Sequence, residues 1–267
     1  MAVWSSIWGA IAFPLFRKFQ WRPFQVISPD KKLLLLLPLY AIAPFLIWQA
    51  LRLKEQSWQT IGWMFTGASM RSLLLGLAIA VVGLLLLLLT KRALNLITLH
   101  EPTELLSEES NSGSSSQQKL AVIAGLLLIG LAIGGVEELV FRGWIQTQLE
   151  NAFAPWIAAT LGSGLFAIVH LIWDGKAGLS QQPGLFLLGW VLVIARWAGG
   201  GNIALAWGLH AGWVWGLAYM DEFLSPRPVA EKPHWLTGQA EQPLTSIFDL
   251  ALLAMTAGLI RWGGYLL

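Results

Sequence analysis

Two adjacent carboxylates, an arginine and two imidazoles stand inside apolar runs in the second half of this chain. In GGVEELVFRG, residues 134–143, Glu137 and Glu138 are neighbours, and Arg142 follows Glu138 by four positions. On a helix that spacing sets Arg142 beside Glu138 as an ion pair, while Glu137 is rotated by about 100° and lacks such a partner. An unpaired charge at mid-membrane costs roughly 2.5–3.5 kcal/mol on insertion scales. One carboxylate is therefore neutralised structurally and the other is left available. The plainer alternative, that both glutamates mark a helix end at the membrane surface, conflicts with the apolar residues that continue through Leu149.

Histidines supply the rest. In LFAIVHLIW, residues 165–173, Phe166 and His170 are four apart and share one helix face. In GNIALAWGLHAGWVWG, residues 201–216, His210 is flanked at two residues by Gly208 and Gly212, small enough for a close helix approach or for a substrate. Either histidine alone reads as a packing group. Depth joins them. If one helix runs from about 120 to 149 and the chain turns back near 151–155, Glu137 and His170 lie about 20 and 22 Å from the same membrane surface. His210 lies at about 12 Å on that side, a mismatch of about two helical turns. Five polar groups near one level are improbable packing accidents.

Membrane helices must carry these groups. Of 267 residues, 56% are hydrophobic and 12% charged, about half the charge fraction of an ordinary soluble domain. Mean hydropathy is +0.62. Such a composition excludes a soluble enzyme, a disordered region and a nucleic-acid module; the net charge of +2 supplies no basic stripe to track phosphates. The absence of cysteine removes disulfides, thiolate metal sites and cysteine nucleophiles. The expected fold class is all-α, a multi-pass transmembrane bundle of about seven to eight helices, with spans near 33–51, 72–90, 120–149, 154–173, 184–200, 202–220 and 247–265. An eighth is added if the N-terminus crosses; residues 1–16 read better as an interfacial or re-entrant helix.

The chain divides into an N-terminal membrane region (1–106), a Ser-rich linker (107–119), a core of helices bearing the polar groups (120–220), a loop (221–246) and a last span (247–267). Many of the sixteen tryptophans fall near span ends, as an aromatic belt requires. The excess of basic residues before the first span puts the N-terminus in the cytoplasm, and the plasma membrane is the expected location.

The three blocks, in this order and roughly this spacing, resemble the CPBP family of intramembrane proteases, which includes type II CAAX prenyl endopeptidases and bacteriocin-immunity relatives. The family pattern is Glu-Glu-x-x-x-Arg, then Phe-x-x-x-His, then His-x-x-x-Asn or Asx. Glu137, Glu138 and Arg142 match the first block, Phe166 and His170 the second, and His210 the third, with Val214 where the pattern has the amide or acid. The resemblance spans about residues 120–220.

It implies an endopeptidase acting on a membrane protein or a prenylated or lipidated peptide in the bilayer, with no nucleic-acid partner. It also implies Glu137 as general base assisted by His170, and His210 as stabiliser of the oxyanion. Val214 removes one expected donor. Glu137, His170 and His210 also make a three-ligand set suited to zinc with a water in the fourth position. The His-Glu-x-x-His motif of common zinc proteases is absent, and the reading leans towards no tightly bound metal.

Two other classes compete. One is a catalytically weak membrane scaffold or bacteriocin-immunity-type protein, favoured by Val214. The other is a transporter, disfavoured because the charges concentrate in one half and no inverted repeat relates the halves. Elsewhere the readings are plain. His100 and His234 are solvated, Arg196 snorkels or lines the cavity, and Asp249 is an N-terminal helix charge.

Overall fold

The computed structural model describes residue 9 and residues 13–100, 116–239 and 242–263. The proposed interfacial helix at 1–16 and the linker fall largely outside the described residues. What is described is helical: residues 13–19 form a short helix, and seven helices of 17 or more residues build the bundle. These are α1 (Pro29–Leu53), α2 (Gly67–Ala93), α3 (Ser116–Glu150), α4 (Pro155–Asp174), α5 (Gln182–Ala198), α6 (Ala204–Leu224) and, after the four-residue α7 (His234–Thr237), α8 (Ile247–Gly263). The all-α bundle expected from composition is the fold observed.

Local sequence explains the helix ends. Proline begins α1 and α4, where its missing N–H is no loss, and the Thr66 hydroxyl caps α2 by accepting from the Ser69 amide at 3.1 Å. Helix α3 is continuous but not uniform. Leu139–Ile145 is wound as a π-helix between α-helical halves, a feature frequent at functional sites. Ser116–Gln118, expected as linker, already belong to α3.

Four helical stretches are long and apolar enough to cross a membrane: Lys31–Leu53, Gly67–Ala93, Ser116–Glu150, and Pro155–Ala198, the last being α4 and α5 joined through a 3₁₀ segment. Helices α6 and α8 occupy the positions of the two remaining expected spans but do not meet that measure. Tryptophans, glycines and His210 dilute the hydropathy of α6, and α8 is 17 residues long.

Helix α6 lies at the centre, and small residues let it get there. A Cβ on Gly208 would lie 2.0 Å from the Leu73 carbonyl oxygen of α2, and one on Gly212 would lie 2.7 Å from the Ala80 methyl. On the other flank, a Cβ on Gly134 of α3 would lie 3.0 Å from the Ala211 nitrogen. The glycines beside His210 thus serve helix approach rather than substrate space. Beyond α6 the expected loop has structure of its own. Strand β2 (Pro226–Pro228) pairs antiparallel with β1 (Ile97–Leu99), Ile97 facing Pro228, which ties the end of α6 to the end of α2.

Candidate active site

Helix α3 brings the two glutamates and the arginine; α4 brings Phe166 and His170; α5 brings the Gly189 carbonyl; α6 brings His210. Glu138 is wholly buried and Arg142 is 2% exposed. Arg142 Nη1 donates to Glu138 Oε1 at 3.0 Å, its Nη2 donates to the Gly189 carbonyl at 3.3 Å, and the guanidinium lies 4.3 Å from the centre of the Phe166 ring. The expected i,i+4 pair is formed, with an aromatic face and a backbone carbonyl completing the shell of the cation.

His210 Nδ1 lies 2.8 Å from the same Glu138 oxygen. Glu138 therefore has two cationic or donor partners and a structural part to play: it fixes the imidazole of α6 against α3. His170 Nδ1 lies 2.7 Å from the Phe166 carbonyl oxygen. Carbonyls and ion-paired carboxylates only accept, so both Nδ1 atoms carry the proton and each neutral ring keeps a bare lone pair on Nε2.

Glu137 stands apart, as its rotation on the helix requires. Its Oε1 accepts from the hydroxyl of Tyr40 on α1. Its Oε2 is buried without a hydrogen-bond partner and lies 3.7 Å from His210 Nε2, beyond hydrogen-bond range. Glu137, Tyr40, His170, His210 and Val214 line a cavity of about 320 Å³ whose other walls are largely apolar. A second cavity, about 440 Å³, shares His170, His210, Val214 and Lys32 and is also lined by Gln242, Pro243 and Leu244. The two histidines stand between two chambers, at whose shared rim Lys32 pairs with Asp174 at 3.0 Å.

The five residues singled out from the sequence thus gather at one place. His210 comes closer than its depth suggested, with Nδ1 at 2.8 Å from Glu138 Oε1. Among the described residues, no three His, Asp or Glu side chains converge closely enough to hold a metal ion. Glu137, His170 and His210 do not form a close ligand set in this arrangement.

Other expectations change. Arg196 neither snorkels nor faces a cavity: it is 6% exposed, donates to Glu150 Oε2 at 2.6 Å and to Thr147 Oγ1 at 3.0 Å. Asp249 does open α8, in reciprocal bonds with Ser246, and also pairs with Lys91 at 2.6 Å. His100 and His234 are exposed as expected. Tyr40 was missed. It is the only hydroxyl in the apolar run 33–48, and a lone phenol within a span was the available signal.

Against known proteins, residues 119–216, a little over a third of the chain, match the family model described as "Type II CAAX prenyl endopeptidase Rce1-like". No curated protein and no solved structure matched. The matched segment holds Glu137, Glu138, Arg142, His170 and His210, while Tyr40 lies outside it. Over residues 119–216 this integral membrane chain is therefore similar to the Rce1-like type II CAAX prenyl endopeptidases.

Proposed function

We propose that the protein is an intramembrane endopeptidase that hydrolyses a peptide bond of a membrane-associated or prenylated substrate, with water activated by Glu137 and His170. One observation carries this reading: Glu137 Oε2 is buried, partnerless and set on the wall of a cavity shared with both histidines. A water there can give its proton to Oε2 while the bare Nε2 of His170 accepts its other hydrogen and aims the oxygen lone pair. As the carbon–oxygen bond forms, the carbonyl electrons move to its oxygen. His210, held by Glu138, donates to that oxygen from Nε2 when it is an imidazolium. The proton held by Glu137 then passes to the leaving amine as the carbon–nitrogen bond breaks. The apolar walls of both chambers suit a greasy substrate. The plasma membrane and a cytoplasmic N-terminus belong to the same proposal.

A scaffold or immunity-type role is the second reading, and its support is Val214, an apolar side chain on the wall of both chambers. The test compares new protein N-termini in the membrane proteome of cells lacking the gene, complemented with wild type or with Glu137→Gln. Termini that appear with wild type and not with the variant, at matched protein levels, are the expected result. Identical termini with both, together with full complementation by both, would sink the protease reading and favour the scaffold.

A further inference from the structure

We infer that Tyr40 is a catalytic donor: its hydroxyl turns from Glu137 to the carbonyl oxygen of the scissile bond as that oxygen becomes negative. This rests on the hydrolytic reading above. With His210 neutral, few donors face the reacting carbonyl in the cavity that Tyr40 lines. Both imidazoles spend their Nδ1–H outside the cavity, on the Phe166 carbonyl and on Glu138. Their neutral rings face the chemistry as acceptors. Lys32 is held on Asp174 at the rim. Val214, one turn beyond His210, offers only methyl groups. The Tyr40 hydroxyl is in contact with the base, lines the same cavity, and carries a proton whatever the state of the imidazoles.

The order of events makes the hydroxyl available when it is needed. While Glu137 is ionised, its Oε1 is the strongest acceptor within reach, and Tyr40 donates there. Attack moves the water proton onto Oε2. The carboxyl is then neutral, its pull on the phenol falls, and the charge reappears on the carbonyl oxygen of the substrate. Rotation about the Cζ–Oη bond with a small side-chain shift carries the hydrogen bond from one oxygen to the other. Tyr40 transfers no proton. In the resting enzyme the same bond holds Glu137 on its chosen rotamer, leaving Oε2 free for water. Tyr40 comes from α1, which lies outside the segment matched by the family model.

Cleavage kinetics of the full-length protein in lipid vesicles test this, with a fluorogenic peptide ending in S-farnesyl-Cys-Val-Ile-Met as the probe. Wild type, E137Q, Y40F, Y40F/V214N and Y40F/V214Q are compared. Removal of one oxyanion donor typically lowers kcat by about 10²-fold or more, so Y40F should lose about that much in kcat with KM within about two-fold. A neutral amide added at position 214 reaches the same cavity and should return about ten-fold of the loss in at least one of the double variants. A tether acting only on Glu137 gains nothing from an amide at 214. Wild-type kcat in Y40F, or a loss that neither amide relieves, overturns the proposal. Wild-type activity no higher than that of E137Q has a different meaning: the hydrolytic reading itself fails, and the role of Tyr40 fails with it.

Discussion

Helix α3 supplies the carboxylate of two carboxylate–guanidinium pairs, one wholly buried and one partly exposed, and they differ in what surrounds them. At mid-helix, Glu138 and Arg142 are sealed, with His210 on the same carboxylate oxygen and the partnerless Glu137 next door on a cavity wall. Three turns on, Glu150 pairs with Arg196 of α5 at 2.6 Å and accepts from Gln146 at 2.9 Å and Trp197 at 2.8 Å. That second cluster also holds partnerless buried atoms, Gln146 Oε1 and Arg196 Nε. Yet none of its members lines either chamber. Ion pairing is common to both; only the first sets a free carboxylate oxygen and two bare imidazole nitrogens on a cavity wall. An ion pair at membrane depth is thus a fixture of the fold, and what sets the first cluster apart is the unpaired carboxylate beside it on a cavity wall.

The largest effect expected from that difference is at Glu137. Glu137→Gln keeps the shape and can still accept from Tyr40, but it cannot take a proton from water. Turnover of the farnesylated peptide should fall by about 10³-fold, within the range for loss of a general base, while thermal unfolding in detergent, followed by tryptophan fluorescence, stays within about 2 °C. A comparable loss of turnover from Arg196→Met would erase the distinction between the clusters.

Next in size is Arg142→Met. It leaves Glu138 fully buried without its guanidinium, and breaking such a pair costs about 3–5 kcal/mol. The protein should unfold well below the wild-type temperature, and the population that remains folded should cleave poorly, because Glu138 can no longer fix His210. Arg196→Met should cost less, about 1–2 kcal/mol, because the Glu150 side chain is 22% exposed and water can take over part of its solvation. Cleavage per folded molecule should stay within about two-fold of wild type.

How much of this was legible depends on sequence distance. The Glu138–Arg142 and Phe166–His170 relations are i,i+4 neighbours on one helix, and spacing alone fixes them. The distant pairing of α3 with α6 was only half legible. Gly208 and Gly212 announce a close approach, but whether α2 or α3 fills that side depends on packing. Tyr40 was out of reach: its bond to Glu137 joins residues 97 apart through an otherwise featureless helix. The second cluster had a signal that periodicity could have caught, since Glu138, Arg142, Gln146 and Glu150 recur every four residues down one side of α3. The π-helical winding between Leu139 and Ile145 has no counterpart in composition. At α6 the expected helix is present, but the glycines and tryptophans that let it pack centrally keep it out of the four long apolar stretches.

The smallest effect is the sharpest comparison, because one chemical change can be made at both clusters. Lysine for arginine keeps the charge but replaces a planar fork with a single ammonium. At position 196 the fork serves Glu150 and Thr147, and an ammonium on Glu150 gives up mainly the 3.0 Å bond to a hydroxyl. Arg196→Lys should therefore cost less than about 1 kcal/mol and leave cleavage unchanged. At position 142 the fork joins Glu138 on its own helix to the Gly189 carbonyl on α5 while lying over Phe166. Lysine cannot span all three, and whichever contact it drops loosens the wall that carries His210 or His170. Arg142→Lys should accordingly lower kcat by several-fold even where its melting temperature matches that of Arg196→Lys. Equal kinetics for the two lysine variants would mean that the wall around the histidines tolerates the loss, and that Arg142 serves the fold alone.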